Sequence, residues 1–131
     1  MSDAERPSLS IDRTNIILYC QEWHDTVAFY RSQLRLPVDF ENDWFVEFRL
    51  TRDSFLSIAD RRRATIRPVH GQGMTLTLRV PDINAARTSL QRRGVELTPI
   101  RRKWGALVCY CHDPEGHRLE FWQAIEPRQT S

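Results

Sequence analysis

The chain has 131 residues, 40% of them hydrophobic and 27% charged, and a net charge of +2. That is one domain's length with a single ordinary core, too evenly charged for a dedicated nucleic-acid surface, and with no apolar run long enough to span a bilayer. Three cysteines, an odd count without framework spacing, fit a reducing cytoplasm rather than a disulfide scaffold.

Residues 1–12 are polar with no apolar h-region, so they read as a tail and not as a signal peptide. Asn15 to Cys20 reads as a strand, followed by a helix from His24 to Leu34. Around that helix Trp23, Val27, Tyr30 and Leu34 fall on one stripe that must face a sheet. Strand-like stretches follow at Val38 to Glu41, Trp44 to Thr51 and Ser54 to Ala59. The basic run Arg61-Arg62-Arg63 reads as a solvated loop, and His70-Gly71-Gln72-Gly73 as a connector.

The order then repeats. Thr75 to Val80 is a strand, and Pro81-Asp82-Ile83 opens a helix that runs to Arg93, with Asp82 as N-cap and Gly94 as the C′ residue. Val95 to Thr98, Ala106 to Cys111 and His117 to Gln123 read as the closing strands. The turn Asp113-Pro114-Glu115-Gly116 precedes the last of them. Both halves read β-α-β-β-β, an order with hairpins that points to α+β. The expected organisation is one domain over residues 13–127, with modules at about 13–66 and 73–127 and a short tail over 128–131.

Strand alternation assigns the faces. Ile16, Leu18 and Cys20, then Val46, Phe48 and Leu50, then Leu56 and Ile58, and Leu76, Leu78 and Val80 form apolar sets that belong beneath the helices. The opposite, mixed face carries Tyr19, Phe45, Phe55 and Trp122 among Asn15, Glu47, Arg49, Thr75, Thr77, Arg79 and Glu120. Apolar walls with a few polar groups suit a small-molecule site. A simply wetted sheet face is the plainer alternative.

The segment His112-Asp113-Pro114-Glu115-Gly116-His117-Arg118-Leu119-Glu120-Phe121-Trp122-Gln123 resembles the last hairpin of the vicinal oxygen chelate superfamily. That superfamily groups glyoxalases, extradiol dioxygenases and bleomycin-resistance-type binding proteins. Ala28-Phe29-Tyr30-Arg31, Val80-Pro81-Asp82-Ile83 and Trp104-Gly105 are similar to its other signatures. The resemblance implies two βαβββ modules whose strands form an open eight-stranded cupped barrel. It also implies a ligand in the cup and a homodimer whose chains complete or cover the cups.

In the superfamily's metalloenzymes the ligands, commonly His, Glu, His and Glu, come from the first, fourth, fifth and eighth strands. The resemblance carries those places to Asn15, Ser57, Thr75 and Glu120, where only Glu120 keeps a metal-binding side chain. No metal and no cofactor are therefore expected. Cys109, Cys111 and His112 form a possible displaced set, set against the reading of the cysteines as small buried hydrophobes. His24, His70 and His117 read as surface residues, and no nucleophile–base–acid set is visible.

The expected function is binding of an antibiotic or metabolite by a cytoplasmic homodimer, without nucleic-acid or membrane partners. Tyr19, Phe45, Glu47, Arg49, Phe55, Thr77, Arg79, Glu120 and Trp122 are the expected ligand-binding residues. The alternative is a glyoxalase- or dioxygenase-type lyase, isomerase or dioxygenase with a displaced metal. In that reading Glu120, the only catalytic candidate, can also serve as a general base. Against that role stands an ion pair of Glu120 with Arg79 or Arg49.

Overall fold

A computed structural model describes residues 9–125; most of the expected N-terminal tail and all of residues 128–131 lie outside them. The chain is α+β, built of two βαβββ modules. The first holds β1 (Thr14–Cys20), α1 (Trp23–Ala28), β2 (Val38–Glu41), β3 (Phe45–Thr51) and β4 (Ser54–Asp60). The second holds β5 (Thr75–Arg79), α2 (Ile83–Arg92), β6 (Arg101–Lys103), β7 (Ala106–His112) and β8 (Arg118–Ala124). Each module folds as one four-stranded sheet, in the orders β1-β4-β3-β2 and β5-β8-β7-β6. In each, the first strand runs parallel to the last and the remaining pairs are antiparallel. The sheets are not closed into a barrel, and β1 and β5 are both edge strands.

The apolar sets of both sheets meet in one core. Leu18, Cys20, Val46, Phe48, Leu56 and Ile58 share a buried cluster with Leu76, Cys109, Cys111, Leu119 and Phe121. The stripe on α1 enters it as expected: Trp23, Val27 and Tyr30 are buried, and the Trp23 indole N–H donates to the Ile58 carbonyl at 2.9 Å. After Ala28 the helix widens into a π-turn over Phe29–Gln33, where Leu34 N–H reaches the Phe29 carbonyl. The same stripe therefore extends to Leu34, which packs half-buried against the core. α2 begins and ends as its caps dictate. Asp82 accepts from Ala85 N–H at 3.1 Å, and Gly94 takes a φ of +86°, which lets Val95 N–H close back on Leu90.

One strand differs from expectation. Val95 to Thr98 alternates like a strand, and Val95 does pack into the core. Among the described residues it pairs with a strand only at Thr98, whose N–H reaches the Tyr110 carbonyl while its hydroxyl accepts from Tyr110 N–H. The ladder on β7 goes instead to Arg101–Lys103, beyond Pro99.

The modules are joined by buried polar contacts at the last hairpin. Asp113 is buried; one carboxylate oxygen accepts from the N–H groups of Glu115, Gly116 and His117 at 2.9–3.0 Å. The other lies 2.8 Å from the Tyr30 hydroxyl of the first module and 2.8 Å from His117 Nδ1. Burial first, and then Asp113, pushes the Tyr30 phenol well above its ordinary value, so it remains a donor. His117 is thus buried, not on the surface as the sequence suggested; its ring closes the hairpin on Asp113. Glu115 accepts from Glu22 N–H at 2.7 Å, supplying a carboxylate from one module to the start of the other's helix. Gly71 in the connector sits so close that a Cβ would lie 2.3 Å from the Gly116 backbone.

Replacing Asp113 with alanine strands the Tyr30 hydroxyl and three turn N–H groups in a buried site. Urea unfolding of Asp113→Ala should show stability lowered by roughly 3 kcal/mol, the scale for unpaired buried polar groups. A midpoint equal to wild type would mean that this junction does not hold the modules.

Candidate functional site

Because the two sheets share one core, their mixed faces point away from it and from each other. On the first, Glu47 is buried and pairs with the Arg13 guanidinium at 2.5 Å. Arg13 also lies over the Phe55 ring at 3.7 Å and 3.5 Å from Asp39. Arg49 approaches the same ring at 5.0 Å and bonds Asp39 at 2.7 Å. Hydrogen bonding with Glu47, and then the two guanidiniums, holds the Asp39 carboxyl below its ordinary value. Phe55 is consequently covered, only 4% exposed, while Phe45 and Tyr19 are half-buried at the other end of β4, both paired with Ala59. Deeper in, Ser57 donates to Asn15 Oδ1 at 2.8 Å. Arg13 was not among the expected site residues; it precedes the strand, so alternation carried no signal for it.

The second mixed face is open. A concavity of about 490 Å³ is lined by Thr77, Glu120 and Trp122, with Val108 beneath and Lys103 and Trp104 at the rim. Arg79 stacks over the Trp122 ring at 5.4 Å. Glu120 is half-buried and has no ion-pair partner among the described residues. The expected pairing with Arg79 or Arg49 is not formed: Arg79 lies on Trp122 and Arg49 on Asp39 in the other sheet. Trp104 is 94% exposed at a two-residue turn, with φ +54° followed by +77° at Gly105. That is the backbone of a primed hairpin turn, which usually selects Asn, Asp or Gly and not tryptophan.

The expected residues thus fall into two groups. Tyr19, Phe45, Glu47, Arg49 and Phe55 share the first face; Thr77, Arg79, Glu120 and Trp122 share the second. A single chain does not bring the groups together, and the concavity around Glu120 is lined by the second module alone. The residues at the four inherited metal places do not fit a transition metal. Asn15 and Ser57 are hydrogen-bonded to each other in one sheet, and the Thr75 hydroxyl accepts from Arg118 at 2.8 Å in the other. Only Glu120 offers an anionic donor. Nor do Cys109, Cys111 and His112 converge, because the cysteines point into the core while His112 lies exposed on the opposite face of β7.

The sequence profile described as Glyoxalase/Bleomycin resistance protein/Dioxygenase superfamily matches residues 10–121. No curated protein matches the chain. Among solved structures it is similar to a glyoxalase/bleomycin resistance protein/dioxygenase from Nocardioides, at 21% identity and TM-score 0.74 over 97% of this chain and 89% of that one. It is also similar to a lactoylglutathione lyase from Agrobacterium tumefaciens, at 21% identity and TM-score 0.70 over 90% and 95%. TnmS3, an antibiotic binding protein from Streptomyces sp. CB03234, aligns at 19% identity and TM-score 0.72 over 91% and 99%. At these identities the likenesses speak for the fold.

The cysteines make a testable point about the site's chemistry. Burial above all, then nearby Cys109 and Asp113, pushes the Cys111 thiol up to about 12, and burial raises Cys20 further still and Cys109 in the same direction. A raised value keeps a thiol protonated to higher pH, so none of the three is a ready nucleophile or metal ligand. Iodoacetamide at pH 8.5 should leave the folded protein unmodified by mass and label all three thiols in urea. Rapid labelling of the folded chain would contradict this placement.

Proposed function

This chain belongs to the Glyoxalase/Bleomycin resistance protein/Dioxygenase superfamily, and we propose that within it the protein binds a small organic molecule without the usual metal. The observation that carries this reading is the open concavity at Trp122, with an uncommitted carboxylate at Glu120 and a tryptophan exposed at its rim. Aromatic faces supply stacking area, and Glu120, Arg79 and Thr77 orient the ligand. The antibiotic binding protein among the structural neighbours is consistent with an antibiotic or metabolite as ligand.

The protein acts as a homodimer in the cytoplasm. A second copy sets its first face, with Tyr19, Phe45, Glu47, Arg49 and Phe55, opposite the Glu120 face and completes a cup that one chain leaves open on both sides. Light scattering at micromolar concentration should give twice the chain mass; a clean monomer that still binds ligand would remove the shared cup.

The unpaired Glu120 carboxylate favours one alternative, proton abstraction from a bound substrate, and the two readings separate by turnover. Under the binding reading a ligand that quenches tryptophan fluorescence is recovered unchanged. Trp122→Ala weakens its binding by ~1–3 kcal/mol, the scale for one large aromatic contact. A library giving no quench or thermal shift, with Trp122→Ala indistinguishable from wild type, would leave no site on this face.

Metal dependence is checked separately. Calorimetric titration with Zn²⁺ or Ni²⁺ should show no submicromolar binding, because one carboxylate among neutral oxygens holds such ions poorly. Tight binding abolished by Glu120→Ala would restore a metal centre.

A further inference from the structure

A second cavity, of about 710 Å³, lies between the modules along the free edge of β5. Leu76, Leu78 and Val80 form one wall, and Ile16, Leu36 and Leu50 from the first module form the other. These are core-face positions, yet Ile16 remains 45% exposed and Leu36, Leu50, Leu78 and Val80 are only half-buried. Apolar surface held open in this way favours an apolar occupant by about 25 cal/mol per Å² covered. The volume falls in the range of roughly 300–1,000 Å³ usual for small-ligand cavities.

The polar groups select the ligand's other end. Among the described residues no aspartate or glutamate lines the cleft. Arg93, at the end of α2, does, with Ser89 four residues earlier on the same helix face. The Arg93 guanidinium donates to the Gln33 carbonyl at 2.8 Å and makes no ion pair among the described residues. It is half-buried, so it is a cation partly removed from water with no counter-charge. Arg79 also borders the cleft, but its guanidinium is stacked on Trp122.

We infer that this inter-module cleft is a second binding site, for an alkyl carboxylate. The chain lies between the leucine walls, and the carboxylate takes the free N–H groups of Arg93 with the Ser89 hydroxyl beside it. Arginine suits this role because its planar fork meets a carboxylate with two parallel hydrogen bonds. A cationic head would meet Arg93 with like charge, and a neutral one would leave it uncompensated.

The test is calorimetric titration of the full chain with dodecanoate, dodecanol and dodecyltrimethylammonium, each below its micelle concentration. Dodecanoate should bind at one per chain, at least about tenfold more tightly than the other two, the ratio expected for a charge-assisted pair. Arg93→Gln should remove that preference and Arg93→Lys should restore part of it. Trp122→Ala, which disables the concave face, should leave dodecanoate binding in place, so the two sites fail independently.

Absence of dodecanoate binding, or equal binding of the three heads by the wild-type chain, would overturn the inference. So would loss of binding in Trp122→Ala. Light scattering of Leu78→Glu covers the remaining occupant. If that change separates a dimer and leaves dodecanoate binding untouched, the cleft is covered by a second copy and the inference falls.

Discussion

The buried carboxylate of Asp113 is the contact on which the arrangement of the molecule depends. It accepts from its own turn and from His117 in the second module, and from Tyr30 in the first. Glu115, two residues on, accepts from the start of the first helix. Two small sheets, each with one apolar face, have no reason in sequence alone to pack in one relative orientation. These acceptors fix the orientation, because a hydroxyl and an N–H group buried without them would each cost about 1–3 kcal/mol. Helix-covered face then meets helix-covered face, and both mixed faces are turned outward.

That arrangement gives the mixed faces different characters. The first is satisfied by its own residues: Arg13 and Arg49 cover Phe55 and neutralise Glu47 and Asp39. The second keeps Glu120 without a counter-charge and Trp104 without cover. A wall whose charges are already paired costs little to present to a ligand, since nothing in it needs reorganising. A wall with a free carboxylate and an exposed indole gains from being covered. The proposed cup, with one wall from each of two chains, sets a face whose charges are paired against one with a free carboxylate.

Much of this was legible in the chain. Period-two alternation separated Leu18, Val46, Leu56 and Leu76 from the mixed sets, and all four are buried. The caps Asp82 and Gly94 could be read because their chemistry is local. What could not be read depended on distant partners. His117 looks like a turn residue until its ring closes on Asp113, which also holds Tyr30. Phe55 looks like an exposed aromatic until Arg13 folds over it from outside the strand. Val95 to Thr98 has the pattern of a strand, but the edge of β7 is taken by Arg101–Lys103. Alternation also placed Glu47 and Glu120 on corresponding faces of two similar modules. It carries no information on whether one chain brings those faces together.

The four places that the family resemblance assigns to metal ligands differ in how their side chains are satisfied. Polar side chains on a sheet face that are shielded from water need hydrogen-bond partners. Here Ser57 bonds Asn15, and Arg118 bonds Thr75, so three of the four places are closed by partners within their own sheets. Glu120 is the exception. Its cross-strand neighbours Thr77 and Tyr110 are neutral, and the nearby guanidinium of Arg79 is stacked on Trp122. A half-buried carboxylate left in that condition costs stability unless something pairs with it. The concavity that opens beside it is where such a partner has room.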